Sequence, residues 1–248
     1  MENINFNKNN NMKKITFILY FISILGYSQT AITDDNIEEA IETCLSTNPR
    51  DGLCSNSEYG AIPNWDVSKV TDMSYAFADY YDYDFNGDIS AWDVSNVTNM
   101  EFMFVQSRFF NQDISSWDVS KVTNMTGMFD KTRSFNQNIS SWDVSNVTNM
   151  ESMFSAALVF NQNISSWDVS NVTNMSGMFA STYAFNQDIN SWNVSKVTNM
   201  SEMFALAEVF NQDLSAWNVR NVIKCKDFSL FADKWALPRP KLSPRCKY

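Results

Sequence analysis

Histidine is absent from the 248 residues, which removes the commonest general base and the commonest neutral metal ligand. Serines are many, but none stands apart from a repeated pattern beside a candidate base, so nucleophilic catalysis has no centre. Carboxylates remain. Asp66, Asp93, Asp118, Asp143 and Asp168 each follow a Trp, and stacking of the segments that carry them would form a row about 5 Å apart. Acid–base chemistry needs two carboxylates of unlike environment, and a row of equals does not supply them. No enzyme activity is therefore expected. Like charges at that spacing repel, so a hard cation such as Ca²⁺ is one way to hold the row together. Such a site needs six or more oxygens, and no Asp-rich calcium-loop pattern occurs. The competing expectation is that each Asp accepts local amide or hydroxyl hydrogen bonds, helped by Lys69, Lys121 and Lys196. No cofactor is expected, with calcium the one candidate.

The four cysteines lie outside the central region: Cys44 and Cys54 before it, Cys225 and Cys246 after it. Four cysteines allow three pairings. Their separation favours Cys44–Cys54 and Cys225–Cys246. Disulfides fit an exported chain, and the N-terminus reads as an export signal: Lys13 and Lys14, then the apolar run Ile15–Leu25, then Gly26–Gln29. The run is short for a membrane span. Residues 1–11 read as an N-terminal extension before the true start at Met12, 12–29 as the signal peptide, 30–59 as a helical N-terminal cap, 60–223 as a repeat region and 224–248 as a C-terminal cap. No membrane span is expected after cleavage, and the chain is expected to be secreted or at a bacterial cell surface.

The elements that position these residues follow from the repeat. Tryptophan recurs at Trp65, Trp92, Trp117, Trp142, Trp167, Trp192 and Trp217, spaced by 27 residues once and by 25 thereafter. Val falls two and five residues after each Trp, and in the first six units Met follows at eight and Phe at twelve. Within one unit, Trp117 and Val119 alternate with Ser116, Asp118 and Ser120, the period of a short strand. Val122, Met125, Met128 and Phe129 then follow the period of a helix face, with Thr123 placed to cap it. Thr98…Glu101 and Thr148…Glu151 have the capping-box spacing. A return loop carries Phe-Asn-Gln. Such units bury their apolar side chains only by stacking. The predicted fold is an α/β repeat: a leucine-rich-repeat-like solenoid of about seven coils, each with a short parallel strand and a short helix, capped at both ends. The seven tryptophans are its expected core.

The run Trp142-Asp-Val-Ser-Asn-Val-Thr-Asn-Met-Glu-Ser-Met-Phe154 resembles the repeat of the BspA-like leucine-rich-repeat surface proteins of bacteria, over about Tyr59 to Val222. The resemblance implies a secreted or surface solenoid associated with attachment to host or matrix proteins and to other cells. It supplies no catalytic residues. The last two units depart from it, with Asn193 and Asn218 after Trp.

At the ends, Thr33 is placed to cap a helix running through Cys44 and Leu45, with Ile32 and Ile37 as a hydrophobic staple. Cys225 takes the Met register, Phe231 and Trp235 continue the apolar face, and Pro238 and Pro240 stop it. Between Thr30 and Val219 seven basic residues face 25 acidic ones, whereas from Arg220 onward eight basic residues oppose two acidic ones. The acidic body argues against nucleic acid as a partner. An extracellular protein or glycan is the expected ligand. The least uniform segments are the candidate contacts: the insertion bearing Tyr80, Tyr81 and Tyr83, and the stretches after each Phe, with Arg108, Arg133 and Tyr183. Asp93, Asp118, Asp143 and Asp168 are candidates as a repeated polar surface. The expected function is binding or adhesion. The alternatives are a self-associating surface-layer or matrix component, and a calcium-dependent adhesin.

Overall fold

The computed structural model describes residues 30–78 and 84–244. The expected α/β leucine-rich-repeat-like solenoid is not what forms. Among the described residues there is one α-helix, α1 (Ile37–Leu45), and one 3₁₀ turn, Ile62–Asn64. No strand forms. Seven Trp-marked units lie on one another in register, joined by six single-residue parallel bridges from Asp72↔Asn99 to Asn199↔Lys224.

The backbone shows what replaces the helix. From Met125 onward alternate amides leave the unit: Met125, Gly127, Phe129 and Lys131 donate to the carbonyls of Asn149, Glu151, Met153 and Ser155 in the next. The amides between them close tight turns, Met128 to Met125, Asp130 to Gly127 and Thr132 to Phe129. Residue three of the first and last of these turns is left-handed, φ 57° at Gly127 and 62° at Lys131. The same two register positions are left-handed in the neighbouring units, at Phe102 and Gln106 and at Ser152 and Ala156.

Packing explains the choice. Phe104, Phe129, Phe154, Phe179 and Phe204 stack unit on unit with centroids 5.6 to 5.8 Å apart. A second column, Phe110 to Phe210, runs beside it with within-unit contacts such as Phe129–Phe135 at 4.0 Å. Side-by-side helices need axes roughly 8–10 Å apart. Units whose rings touch at this separation leave no room for one helix each. Tight turns are thin enough, and they send half their amides to the neighbour, so the buried backbone is satisfied without helix or strand.

All seven tryptophans of the repeat are buried, at 4–5% exposure. From Trp92 to Trp217 each of their indole N–H groups donates to the carbonyl of an Ile in the preceding unit, as Trp142 does to Ile114 at 3.1 Å. The Trp therefore ties units together as well as filling the core. The capping-box positions serve the stack too. Thr98 sends its amide and hydroxyl to the Thr71 carbonyl, and the Glu101 and Glu151 carboxylates accept from Asn124 and Asn174 of the next unit.

α1 starts at Ile37, later than expected from Thr33. Thr33–Asn36 is a turn, in which Thr33 N–H donates to the Asn36 side chain. Asp34 is drawn away from the helix: its carboxylate accepts from the Thr71 amide and hydroxyl, each at 2.6 Å, and from the Asp72 amide at 3.1 Å. In later units the same Thr amide and hydroxyl bond the preceding Thr carbonyl, as Thr123 does to Thr98. Asp34 thus substitutes for the unit missing before the first. Cys44–Cys54 is a disulfide with Cα atoms 5.3 Å apart. Cys225 is also disulfide-bonded; Cys246, its expected partner, lies outside the described residues.

At the other end Trp235 turns edge-on to Phe204 and Phe210, at 5.2 and 4.8 Å, and closes both Phe columns. Arg239 covers its ring at 5.2 Å. Phe231 does not continue the apolar face; it is 61% exposed. The expected N-terminal extension, 1–11, and the expected signal peptide, 12–29, lie outside the described residues. No described helix is long and apolar enough to cross a membrane.

Candidate functional site: a variable edge

Most of the surface is committed to holding turns. Asp66, Asp93, Asp118, Asp143 and Asp168 each accept, through Oδ1, the amide of the Ser two residues on, at 3.0 to 3.1 Å. Asn193 accepts the same bond from Ser195 at 3.2 Å. An amide oxygen thus does the same work as a carboxylate, so the row needs no charge. The hydroxyl and amide of Ser120 hold the Asp118 carboxyl below its ordinary range, against some desolvation and with help from Lys121. The hydroxyl and amide of Ser95 do the same for Asp93, against desolvation and repulsion from Asp66 and Asp118. The lysines help the row through charge, Lys69 at Asp66, Lys121 at Asp118 and Lys196 at Asp168, while Lys121 and Lys196 donate their hydrogen bonds to the side-chain oxygens of Asn96 and Asn171 in the preceding unit. Among the described residues no group of three or more carboxylates or cysteines converges as a metal site would.

The Asn after the second Phe is likewise structural. Asn136 Oδ1 accepts the Asn161 amide at 2.9 Å, and Gln162 donates to the Asn136 carbonyl at 2.7 Å. Asn211 ends this series by accepting the amides of Ala236 and Leu237.

One edge is left over. It is built from positions 14, 16 and 17 after each Trp, where the units differ. The left-handed turn at position 14 sends its amide to the next unit, so the backbone is fixed and the side chains point out. Phe109, Val159, Tyr183, Leu206 and Phe231 all lie here and are 41–61% exposed. The structure brings Arg108 and Arg133 together: with Gln106, Lys131, Ala156 and Leu158 they line one open recess of about 140 Å³. Tyr183 occupies the register of the two arginines two units beyond Arg133. Tyr80, Tyr81 and Tyr83 lie outside the described residues. A larger recess of about 490 Å³ beside the disulfide, lined by Thr43, Leu53 and Ser55 among others, carries no charged side chain.

The indole N–H bonds and the contact of Asp34 with Thr71, where the sequence suggested a helix-dipole role, were not foreseen. Lys131 lies in the non-uniform stretch Lys131–Arg133 that the sequence marks as a candidate contact.

Fold and edge together define a repeat protein made of stacked turns, with a constant body and one variable side. Residues 52–158 and 137–236 match the family described as Mycoplasma protein of unknown function, DUF285. The two matches span most of the chain, which belongs to that family. No curated protein and no solved structure matches it.

Proposed function

We propose that this chain is a non-catalytic binding module displayed outside the cell, with the variable edge as its contact surface. One observation carries the proposal: side chains that hold the stack repeat from unit to unit, whereas those of one exposed edge change. A spacer gains nothing from exposed Phe, Val, Tyr and Leu on one side, since such side chains favour association. Export is supported by the signal-like N-terminal sequence and by a disulfide that suits an oxidising compartment. Likeness to the BspA-like surface proteins points the same way.

The test is binding of the labelled mature chain to host-type cells and matrix. Two variants are compared, an edge set (Arg133→Ala, Tyr183→Ala, Leu206→Ala) and a corner set (Ser116→Ala, Ser141→Ala, Ser166→Ala). Binding should fall several-fold with the first and persist with the second. Equal binding by both would refute the assignment.

The rival, a self-associating layer component, draws on Ile223, which replaces the repeated Thr and is 78% exposed. Sedimentation separates the two readings: a binder stays monomeric, and a layer component assembles alone and dissociates on Ile223→Thr.

A further inference from the structure

The stack ends with its backbone pairing unfinished. In every inner unit the amides at positions 10, 12 and 14 after the Trp donate to the next unit, as Glu202, Phe204 and Leu206 do to Lys226, Phe228 and Leu230. The last unit keeps the same winding. Asp227 and Phe231 are left-handed, with φ 55° and 58°, and the amides of Leu230 and Ala232 close turns onto Asp227 and Ser229. The amides of Asp227, Ser229 and Phe231, which have these same register positions, make no hydrogen bond among the described residues. The Ile223 carbonyl accepts none there either, whereas the Thr198 carbonyl in the unit below accepts from Ile223 and Lys224. Trp235 and Arg239 already close the Phe columns, so the strip of turns is the part left open. Unpaired backbone groups along such an edge are a template for another chain.

Charge and conformation select what fills the strip. From Arg220 to Pro244 six basic residues face two acidic ones, at the end of an otherwise acidic body. Lys226 lies 3.7 Å from Asp227. Lys224 takes the register of Asn199 in the last of the parallel bridges, and it is exposed with no ion pair among the described residues. It is therefore the charge that an incoming segment meets. Units of this kind already carry an acidic residue at that position, at Asp72. Carbonyls meet all three amides in the manner of the inner junctions only if the incoming chain winds as the units do, with a left-handed residue at position 10. We propose that this end takes up one turn segment of the same winding, donated by another protein and of the pattern Thr-Asp-Met-x-Gly-Met. The Thr amide and hydroxyl bond the Ile223 carbonyl, as Thr123 bonds Thr98. The Asp pairs with Lys224, and alternate carbonyls accept from Asp227, Ser229 and Phe231. Backbone bonds supply affinity, and the Asp and Gly supply selectivity. A second copy does not fit. Its first unit has unengaged carbonyls at Asp72, Ser74 and Ala76, but Asp34 already holds the Thr71 amide and hydroxyl that would have to pair with Ile223. The docking end goes beyond the reading of the variable edge and stands independently of it.

The experiment follows amide exchange by NMR in the mature chain, alone and with a synthetic peptide copying Val172–Thr182 with Asn174→Asp. In the chain alone the amides of Asp227, Ser229 and Phe231 should exchange fast, while those of Glu202, Phe204 and Leu206 exchange slowly. Saturating peptide should slow the first three by about tenfold or more. Peptide affinity should fall by about tenfold on Lys224→Glu and recover when the peptide carries Asn174→Lys instead. A peptide with Gly177→Val should fail to bind, because a β-branched residue resists the left-handed conformation. Each protein variant is first shown to melt like the parent. Arg133→Ala/Tyr183→Ala should bind the peptide as the parent does, which keeps this result separate from the role of the variable edge. Slow exchange at Asp227, Ser229 and Phe231 in the dilute chain alone would overturn the open end. Slow exchange that appears only as the chain is concentrated, together with assembly on sedimentation, would overturn the outside donor in favour of a second copy. Equal binding of the Gly177→Val peptide, indifference to Lys224→Glu, or no slowing with any peptide would overturn the proposal.

Discussion

Substituting Ser152 by Gly should stabilise this protein, although the same change in a helix would weaken it. Ser152 has φ 54° and sits at the first left-handed position of its unit. A left-handed conformation costs an L-residue roughly 1–2 kcal/mol. Glycine escapes that cost and loses about 0.5–1 kcal/mol through its greater freedom in the unfolded chain. The net gain is about 0.5–1 kcal/mol, roughly 1–4 °C in melting temperature for a chain of this size. The register itself supports the reasoning, because the units on either side already carry Gly127 and Gly177 there. The converse changes rank by what the added methyl meets. At Gly177 it approaches only Ser152 Oγ, at 3.1 Å, so Gly177→Ala should cost about 0.5–1 kcal/mol, the same two backbone effects reversed. At Gly127 it would overlap the Phe102 ring, so displacement of that ring adds about 1–3 kcal/mol. Thermal and urea melts of the three variants provide the assay. In a helix Ser→Gly would be destabilising by about 0.5 kcal/mol and Gly→Ala stabilising by nearly 1 kcal/mol. That reversed pair of signs would refute the turn-built unit.

Three other outcomes follow from single contacts. Burial pushes the Asp34 carboxyl up, but the Thr71 hydroxyl and the amides of Thr71 and Asp72 outweigh it and hold the group below its ordinary range. Its contribution to stability is therefore complete above the unfolded value of about 3.9 and is lost as pH falls through that value toward the folded one. Amide exchange in α1 should accelerate in this acid range, and Asp34→Asn should remove the pH dependence there; an unaltered profile would count against the end-cap role. Asp118→Asn should leave stability within about 0.5 kcal/mol, since Asn193 already makes this bond, whereas Asp118→Ala should lose about 1 kcal/mol in a urea titration. A large loss with Asn would reveal a need for the charge. Reducing Cys44–Cys54, ten residues apart, should cost about 3 kcal/mol by the chain-entropy relation. Limited proteolysis should then cut first at the N-terminal cap and not among the Phe columns.

Register, core and one disulfide were legible in the sequence; local conformation was not. Val147, Met150, Met153 and Phe154 are buried at the spacing of a helix face. A run of tight turns with left-handed residues at Ser152 and Ala156 buries the same positions, so periodicity does not separate the two. The clue that does is small. Gly127 and Gly177 share a register that is a poor place for Gly in a helix interior. The Trp ladder was readable as core, but its indole N–H bonds required knowing which carbonyl lies beneath. Arg108 and Arg133 were found because their stretch departs from the repeat. Their convergence with Lys131 depends on the unit spacing, which only the stacked rings define.

The division between constant and variable positions has a physical cause. Each corner of a unit is closed by a side chain bonding its own backbone, as Asp113 does to Ser115, Asp118 to Ser120 and Asn124 to Thr126. Replacing any of these by a side chain with no acceptor leaves an amide without its partner, which costs about 1–3 kcal/mol when the amide is buried. At position 14 the amide bonds to backbone of the next unit, as Lys131 does to Ser155, and positions 16 and 17 lie within a turn closed by backbone alone, as Phe160 does to Ala157. No bond that holds the stack depends on which side chain stands there. Arg133, Leu158 and Tyr183 can therefore replace one another in register without the loss of a bond that holds the stack. A stack built this way can change what its edge presents, unit by unit, without changing how it folds.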